Sequence, residues 1–182
     1  MHVALRLLLL IAICLCVSPL GAQSSSAHRF ETHASLGAGG SYDDEGSIGS
    51  GLSASFGAGY RVTPRFGVEG EYTYLRYRRD FGAIGEWKGA AHSFTGNALL
   101  HFRPNTRLQP FLLLGAGGLS HSSGDGPGFA WTAGAGLKGY LTDHIFLRPE
   151  FRLTSGKYGR LPFQPEPPLS NLRFQFGFGY RW

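Results

Sequence analysis

Residues 173–182 read RFQFGFGYRW, and from Leu172 to Trp182 every second residue is large and apolar. Leu172, Phe174, Phe176, Phe178, Tyr180 and Trp182 share one parity, and Arg173, Gln175, Gly177, Gly179 and Arg181 share the other. Successive side chains of a β-strand point to opposite faces, so this segment reads as a strand with one greasy face and one polar, small face. A soluble domain rarely finishes on such a segment, and its reading decides the fold.

Working back along the chain, the same period of two recurs in seven earlier segments. Residues 29–40 set Phe30, Ala34, Leu36 and Ala38 against Glu31, His33, Ser35 and Gly37. Residues 50–62 set Leu52, Ala54, Phe56, Ala58 and Tyr60 against Ser53, Ser55, Gly57, Gly59 and Arg61. Residues 65–77 set Phe66, Val68, Tyr72 and Tyr74 against Glu69, Glu71 and Thr73, and residues 90–102 set Phe94, Ala98, Leu100 and Phe102 against Ser93, Thr95, Asn97 and His101. Residues 108–119 alternate poorly, with Leu112, Leu114 and Ala116 assigned to the apolar face. Residues 128–141 set Phe129, Trp131, Ala133, Ala135 and Leu137 against Thr132, Gly134, Gly136 and Lys138. Residues 145–154 set Leu147, Phe151 and Leu153 against Arg148, Glu150 and Arg152. Eight strands result. Residues 62–64, 103–107 and 142–144 read as short turns; residues 41–49, 78–89, 120–127 and 155–170 read as longer polar loops. An even count with short connections at one end and long ones at the other predicts an up-and-down barrel, whose closure removes exposed sheet edges.

The opposite end of the chain sets the compartment. Residues 1–22 carry Arg6, then the apolar run LLLLIAICLCV, then SPLGA, the layout of a secretory signal peptide. The expected domains are therefore a signal at 1–22 and a single barrel at 23–182, with cleavage after Ala22 or Ala27. Cys14 and Cys16 both lie in the signal, so the mature chain has no thiol or disulfide chemistry. Seventeen Lys and Arg, one of them Arg6 in the leader, against twelve Asp and Glu make a modest basic excess, too small to indicate a nucleic-acid partner. Glycine, at 28 of 182 residues, is about twice its usual ~7 % share. The accompanying aromatics argue against a disordered linker.

Parity alone does not say which face points out. Aromatics inside would make a soluble, lipocalin-like barrel with a greasy pocket; aromatics outside make a membrane barrel. Three features favour the second. The glycines lie mostly on the polar face, and the interior of an eight-stranded barrel is narrow. Glu69, Glu71, Lys138, Arg148, Glu150, Arg152 and Arg173 form a ladder of both signs on that face, and buried charge is tolerated when paired. Aromatics gather near the strand ends, as in the girdles of membrane barrels. The predicted class is an all-β, eight-stranded antiparallel up-and-down transmembrane β-barrel.

The stretch from Leu172 to Trp182 resembles the C-terminal strand of bacterial outer-membrane β-barrels. The resemblance implies that Phe174, Phe176, Phe178, Tyr180 and Trp182 are read by the outer-membrane assembly machinery as well as facing lipid. From about residue 28 to 182, with stretches such as LGAGG, FGAGY and LLGAGG, the chain is similar to the small eight-stranded family that includes the OmpA membrane domain and OmpX-like and opacity-type proteins. It implies a monomer in the bacterial outer membrane with a structural, envelope-integrity or surface-adhesion role. It implies no cofactor and no cell-wall tether, since the sequence stops at the barrel.

Some members of that family act on outer-membrane lipid, so an acyl hydrolase is the alternative. Its nucleophile, base and acid would come from SHSSGDGP (residues 120–127): His121, Ser122 or Ser123, and Asp125. The spacing of His121 and Ser123 resembles the lipid A deacylase family, but that family's Asn and downstream Glu do not follow. The preferred reading is a polar loop and no enzyme. His92, Ser93 and His101 belong to strand four, with His101 read as an interior polar plug. Asp43-Asp44-Glu45 offers carboxylates to a divalent cation, but a solvated acidic loop is preferred and no metal is expected. The segment RYRRDFGAIGEWK (residues 76–88) clusters Arg76, Arg78, Arg79 and Lys88 with Tyr77, Phe81 and Trp87. Arg76, Arg78, Arg79, Trp87 and Lys88 are the candidate lipid-headgroup loop. Residues 157–168, rich in proline, are a candidate contact for a surface partner. Eight strands leave too narrow a bore for a pore, which takes about 16–18.

Overall fold

A computed structural model describes residues 29–43, 46–80, 85–122, 127–157 and 168–182. The leader, Asp44, Glu45, Phe81, Ser123, Asp125 and the segment 158–167 lie outside the described residues.

The alternating segments form β1 (Phe30–Asp43), β2 (Gly46–Arg61), β3 (Phe66–Asp80), β4 (Glu86–His101), β5 (Leu108–His121), β6 (Gly128–Tyr140), β7 (Ile145–Lys157) and β8 (Pro168–Arg181). Each pairs antiparallel with the next, and β8 closes the barrel on β1. At the seam Phe30 and Trp182 exchange both backbone hydrogen bonds, so the last residue is part of the closure. A row of directly paired residues leaves Thr32 on β1 and passes Ala58, Gly70, Gly96, Ala116, Trp131, Ser155 and Ser170. It returns to β1 at Tyr42, ten residues above its start. Rows therefore climb around the barrel from the turn end to the loop end, the geometric consequence of tilted strands in a closed sheet.

The fork over the two faces is resolved by exposure. Phe94 and Phe129 are 65 % and 72 % exposed, and Phe56, Phe174, Phe176 and Phe178 stand on the same outer surface. The soluble barrel with an aromatic pocket is thereby corrected, because its pocket residues line the outside. On the inner face, the close approach of the neighbouring strand's backbone forces small residues. A Cβ at Gly51 would lie 1.9 Å from the Arg76 carbonyl oxygen, and one at Gly117 would lie 1.9 Å from that of Phe94.

The long loops are a second correction. Strands run where residues 41–43, 46–49, 78–80, 86–89 and 120–121 were read as loop. Alternation marks a strand only while its two faces meet different media. These stretches are polar on both sides, yet hairpin pairing continues through them, as Arg78↔Lys88 and Asp80↔Glu86 show. Strands of 13–16 residues exceed the ~9–11 that span a bilayer, so the hairpins stand above the apolar band.

Candidate functional site

The interior is filled in three tiers. Nearest the turns, Glu31 accepts from Lys138, from Arg61 Nη2 at 2.7 Å and from the Tyr140 hydroxyl at 3.1 Å. Arg61 also donates to Gln109 Oε1 at 3.2 Å, and the buried His101 ring lies beside Phe111 with centroids 6.1 Å apart.

The middle tier holds the ladder. Arg148 grips Glu69 with both guanidinium ends, at 2.5 and 3.0 Å, and donates from Nε to Glu150 at 2.9 Å. Arg152 lies 2.9 Å from Glu71 and 3.0 Å from Glu150. Arg173 Nη2 donates to Glu71 at 2.7 Å. His33 bridges the cluster: Arg148 can only donate, so Nδ1 accepts from it at 3.0 Å and Nε2 donates to Glu71 at 3.3 Å. All seven ladder residues are buried, and Lys138 joins the tier below. His33, Glu69 and Glu71 bring one ligand atom each within 4.8 Å of one another. Three guanidiniums already occupy those carboxylates, so the cluster is built as an ion-pair network and repels a cation.

Above it, Leu75, Tyr77, Ala91, Leu119 and Ala130 form a buried apolar cluster. The bore thus passes from paired charge to packed hydrocarbon toward the loop end.

On the outside, β3 and β4 build a column that the sequence reading found only in part. Tyr72, Tyr74, Arg76 and Arg78 share the outward parity of β3; Phe94, His92, Ala90 and Lys88 oppose them on β4. The Tyr72 hydroxyl meets His92 Nδ1 at 2.7 Å, and the His92 ring lies 5.1 Å from that of Tyr74. Arg76, Arg78 and Lys88 continue the column above them, exposed. The five predicted headgroup residues therefore sit on strand ends rather than in a loop. The backbones of Arg79 and Trp87 pair with each other one step above Arg78↔Lys88, and their side chains lie outside the described residues. His92 was missed as a member of this group, although its parity matches Phe94.

Of the parts assigned to acyl hydrolysis, His121 and Ser122 lie among the described residues, and Ser123 and Asp125 do not. His121 is buried with its ring 5.3 Å from that of Tyr77, and Ser122 Oγ accepts from the Ala90 amide at 3.1 Å.

With the closed barrel, its polar bore and its aromatic exterior established, the family model of the outer membrane protein beta-barrel domain matches residues 7–181. The chain belongs to this outer-membrane β-barrel family. It is a protein of the bacterial outer membrane, where short turns face the periplasm and the longer connections face outward. Among solved structures it is similar to Neisserial surface protein A (NspA), with 16 % identity over 84 % of this chain and 97 % of that one and a TM-score of 0.69. OprG from Pseudomonas aeruginosa matches with 15 % identity over 89 % and 99 %, TM-score 0.60. Ail of Yersinia pestis, solved with the heparin analogue sucrose octasulfate, matches with 19 % identity over 85 % and 99 %, TM-score 0.52. At these identities the likeness is one of fold. No curated protein matches the sequence.

Proposed function

We propose that this outer-membrane barrel is a non-enzymatic structural element of the envelope, gripping anionic lipid of the outer leaflet through the outward column of β3 and β4. The observation that carries this reading is the order of that column: the tyrosines Tyr72 and Tyr74 with His92, then the cations Arg76, Arg78 and Lys88 one turn of the pleat further out. Tyrosines favour the boundary where one end of the ring is apolar and the other wet. Cations just beyond them meet headgroup phosphates, each contributing ~1 kcal/mol at an anionic surface. Phe174, Phe176, Phe178, Tyr180 and Trp182 serve in addition as the strand read by the assembly machinery. The barrel acts as a monomer, and the same exposed cations suit an anionic surface partner, as the polysulfated ligand of Ail illustrates for that protein.

The test compares the wild-type barrel with the triple variant Arg76→Gln/Arg78→Gln/Lys88→Gln. Binding of fluorescent lipid A is measured in neutral detergent micelles. Three contributions of ~1 kcal/mol predict a loss on the order of 100-fold in affinity. Equal affinities refute the grip. Mass spectrometry of lipid A recovered from the wild-type incubation tests the rest of the reading: unchanged lipid supports it, and released fatty acid overturns it in favour of the hydrolase.

A further inference from the structure

The lipid-facing surface carries a trough that the barrel itself does not need. It is a shallow groove of ≈ 550 Å³ on the outside of β1–β4, within the ~300–1,000 Å³ typical of small-ligand sites. Its floor is the lower part of the climbing row: Ala58, Gly70 and Gly96, directly paired across three strands, with Ala98 beside them. Inner-face glycines such as Gly37, Gly51 and Gly117 are imposed by neighbouring backbone, but these outer ones are not. A Cβ at Gly70 would meet nothing within 4 Å, and one at Gly96 would meet only the Ala116 carbonyl oxygen at 3.9 Å. The floor of the trough is therefore open to the membrane.

The two ends of the trough say what would fill it. The row climbs from the periplasmic rim toward mid-membrane, because Thr32, its first member, is near the start of β1 while Gly96 lies five residues inside the end of β4. At the rim, Phe30 and Tyr60 stand edge to face with centroids 5.2 Å apart and form its wall. The exposed Arg29 donates from Nη1 to the Tyr60 hydroxyl at 3.2 Å. Arg65, Arg103 and Arg107 are exposed on the turns of the same rim. A molecule that fits must be apolar where it runs along the floor and anionic where it meets Arg29.

We propose that the trough is a binding site for an anionic phospholipid of the inner leaflet. Its phosphate lies on Arg29 and the Tyr60 hydroxyl, and one acyl chain follows Ala58, Gly70 and Gly96 upward. This site is separate from the outward cations at the other end of the barrel, so either proposal can fail alone.

Native mass spectrometry of the mature protein, folded in neutral detergent with added phosphatidylglycerol, tests the site. Wild-type protein retains one phospholipid per barrel. Arg29→Gln removes the charge and weakens retention about tenfold, the equivalent of ~1.4 kcal/mol. Gly70→Leu/Gly96→Leu fills the floor and abolishes retention; both variants should keep the folded gel mobility, since neither glycine is held by a neighbour. No retained lipid on the wild type, or equal retention in both variants, overturns the proposal. A barrel dimer lost in Gly70→Leu/Gly96→Leu overturns it too, by assigning the trough to a second copy of this chain.

Discussion

Replacing Glu71 with alanine should be among the most damaging single changes in this barrel. Glu71 accepts from Arg173 at 2.7 Å, from Thr73 Oγ1 at 3.0 Å and from His33 at 3.3 Å, and Arg152 lies 2.9 Å away. In Glu71→Ala, Arg152 keeps Glu150 at 3.0 Å and Glu69 at 3.5 Å. Arg173, whose side chain is 3 % exposed, loses its 2.7 Å partner and is left as a buried, poorly neutralised cation. Removing one partner of a buried pair costs about 3–5 kcal/mol. Arg173→Met should cost less, because Glu71 still has Arg152, His33 and Thr73. The double variant Glu71→Ala/Arg173→Met should be more stable than Glu71→Ala alone, although it removes more atoms, because no unpaired charge remains. The coupling between the two sites is expected at ~1–3 kcal/mol, the range for residues in one network. Urea unfolding in phospholipid vesicles, followed by tryptophan fluorescence, measures all three. A Glu71→Ala cost below ~0.5 kcal/mol, or strictly additive effects, would refute the view that the bore is held by paired charge.

Three further outcomes follow from the geometry. Gly117→Val forces a side chain against the Phe94 carbonyl and should cost at least ~1–3 kcal/mol, seen as loss of the compact unheated form on gels; a stable variant would mean that β4 and β5 do not approach as closely as described. The purified barrel in a planar bilayer should carry no steady ion current, because Leu75, Tyr77 and Leu119 close the bore above the ion pairs, and porin-like steps would contradict that packing. Phe176→Arg, near the middle of the lipid-facing band, should cost ~2–4 kcal/mol, against ~0–1 for Tyr180→Arg at the periplasmic edge; equal costs would argue against the membrane depth assigned to β8.

The interior ladder was legible because charges of both signs share parity with glycines on four strands. Glu31 and His33 carry the same parity signal and proved to belong to the network, yet nothing local distinguishes them from residues on any polar face. The hairpin above Arg76 was misread as loop because water on both sides erases alternation. His92 was passed over because a histidine between Ala90 and Phe94 carries no local sign of a partner, whereas its hydrogen bond to Tyr72 comes from the strand next door.

What the sequence by itself determined was the strand count, the two faces of each strand and the sign of each face. Those follow from a period of two, a property of the backbone that any stretch such as RFQFGFGYRW displays without its neighbours. Tertiary structure alone decided how far each strand is shifted on the next, and therefore who meets whom. Glu71 and Arg173 are 102 residues apart, and Ala58, Gly70 and Gly96 come from three strands. They meet only because the closed sheet settles on a ten-residue climb, and a shift of one residue would turn each strand's apolar face inward. Register is a collective choice of all eight strands, set by closure and by the match of both faces to their media, and no single segment contains it.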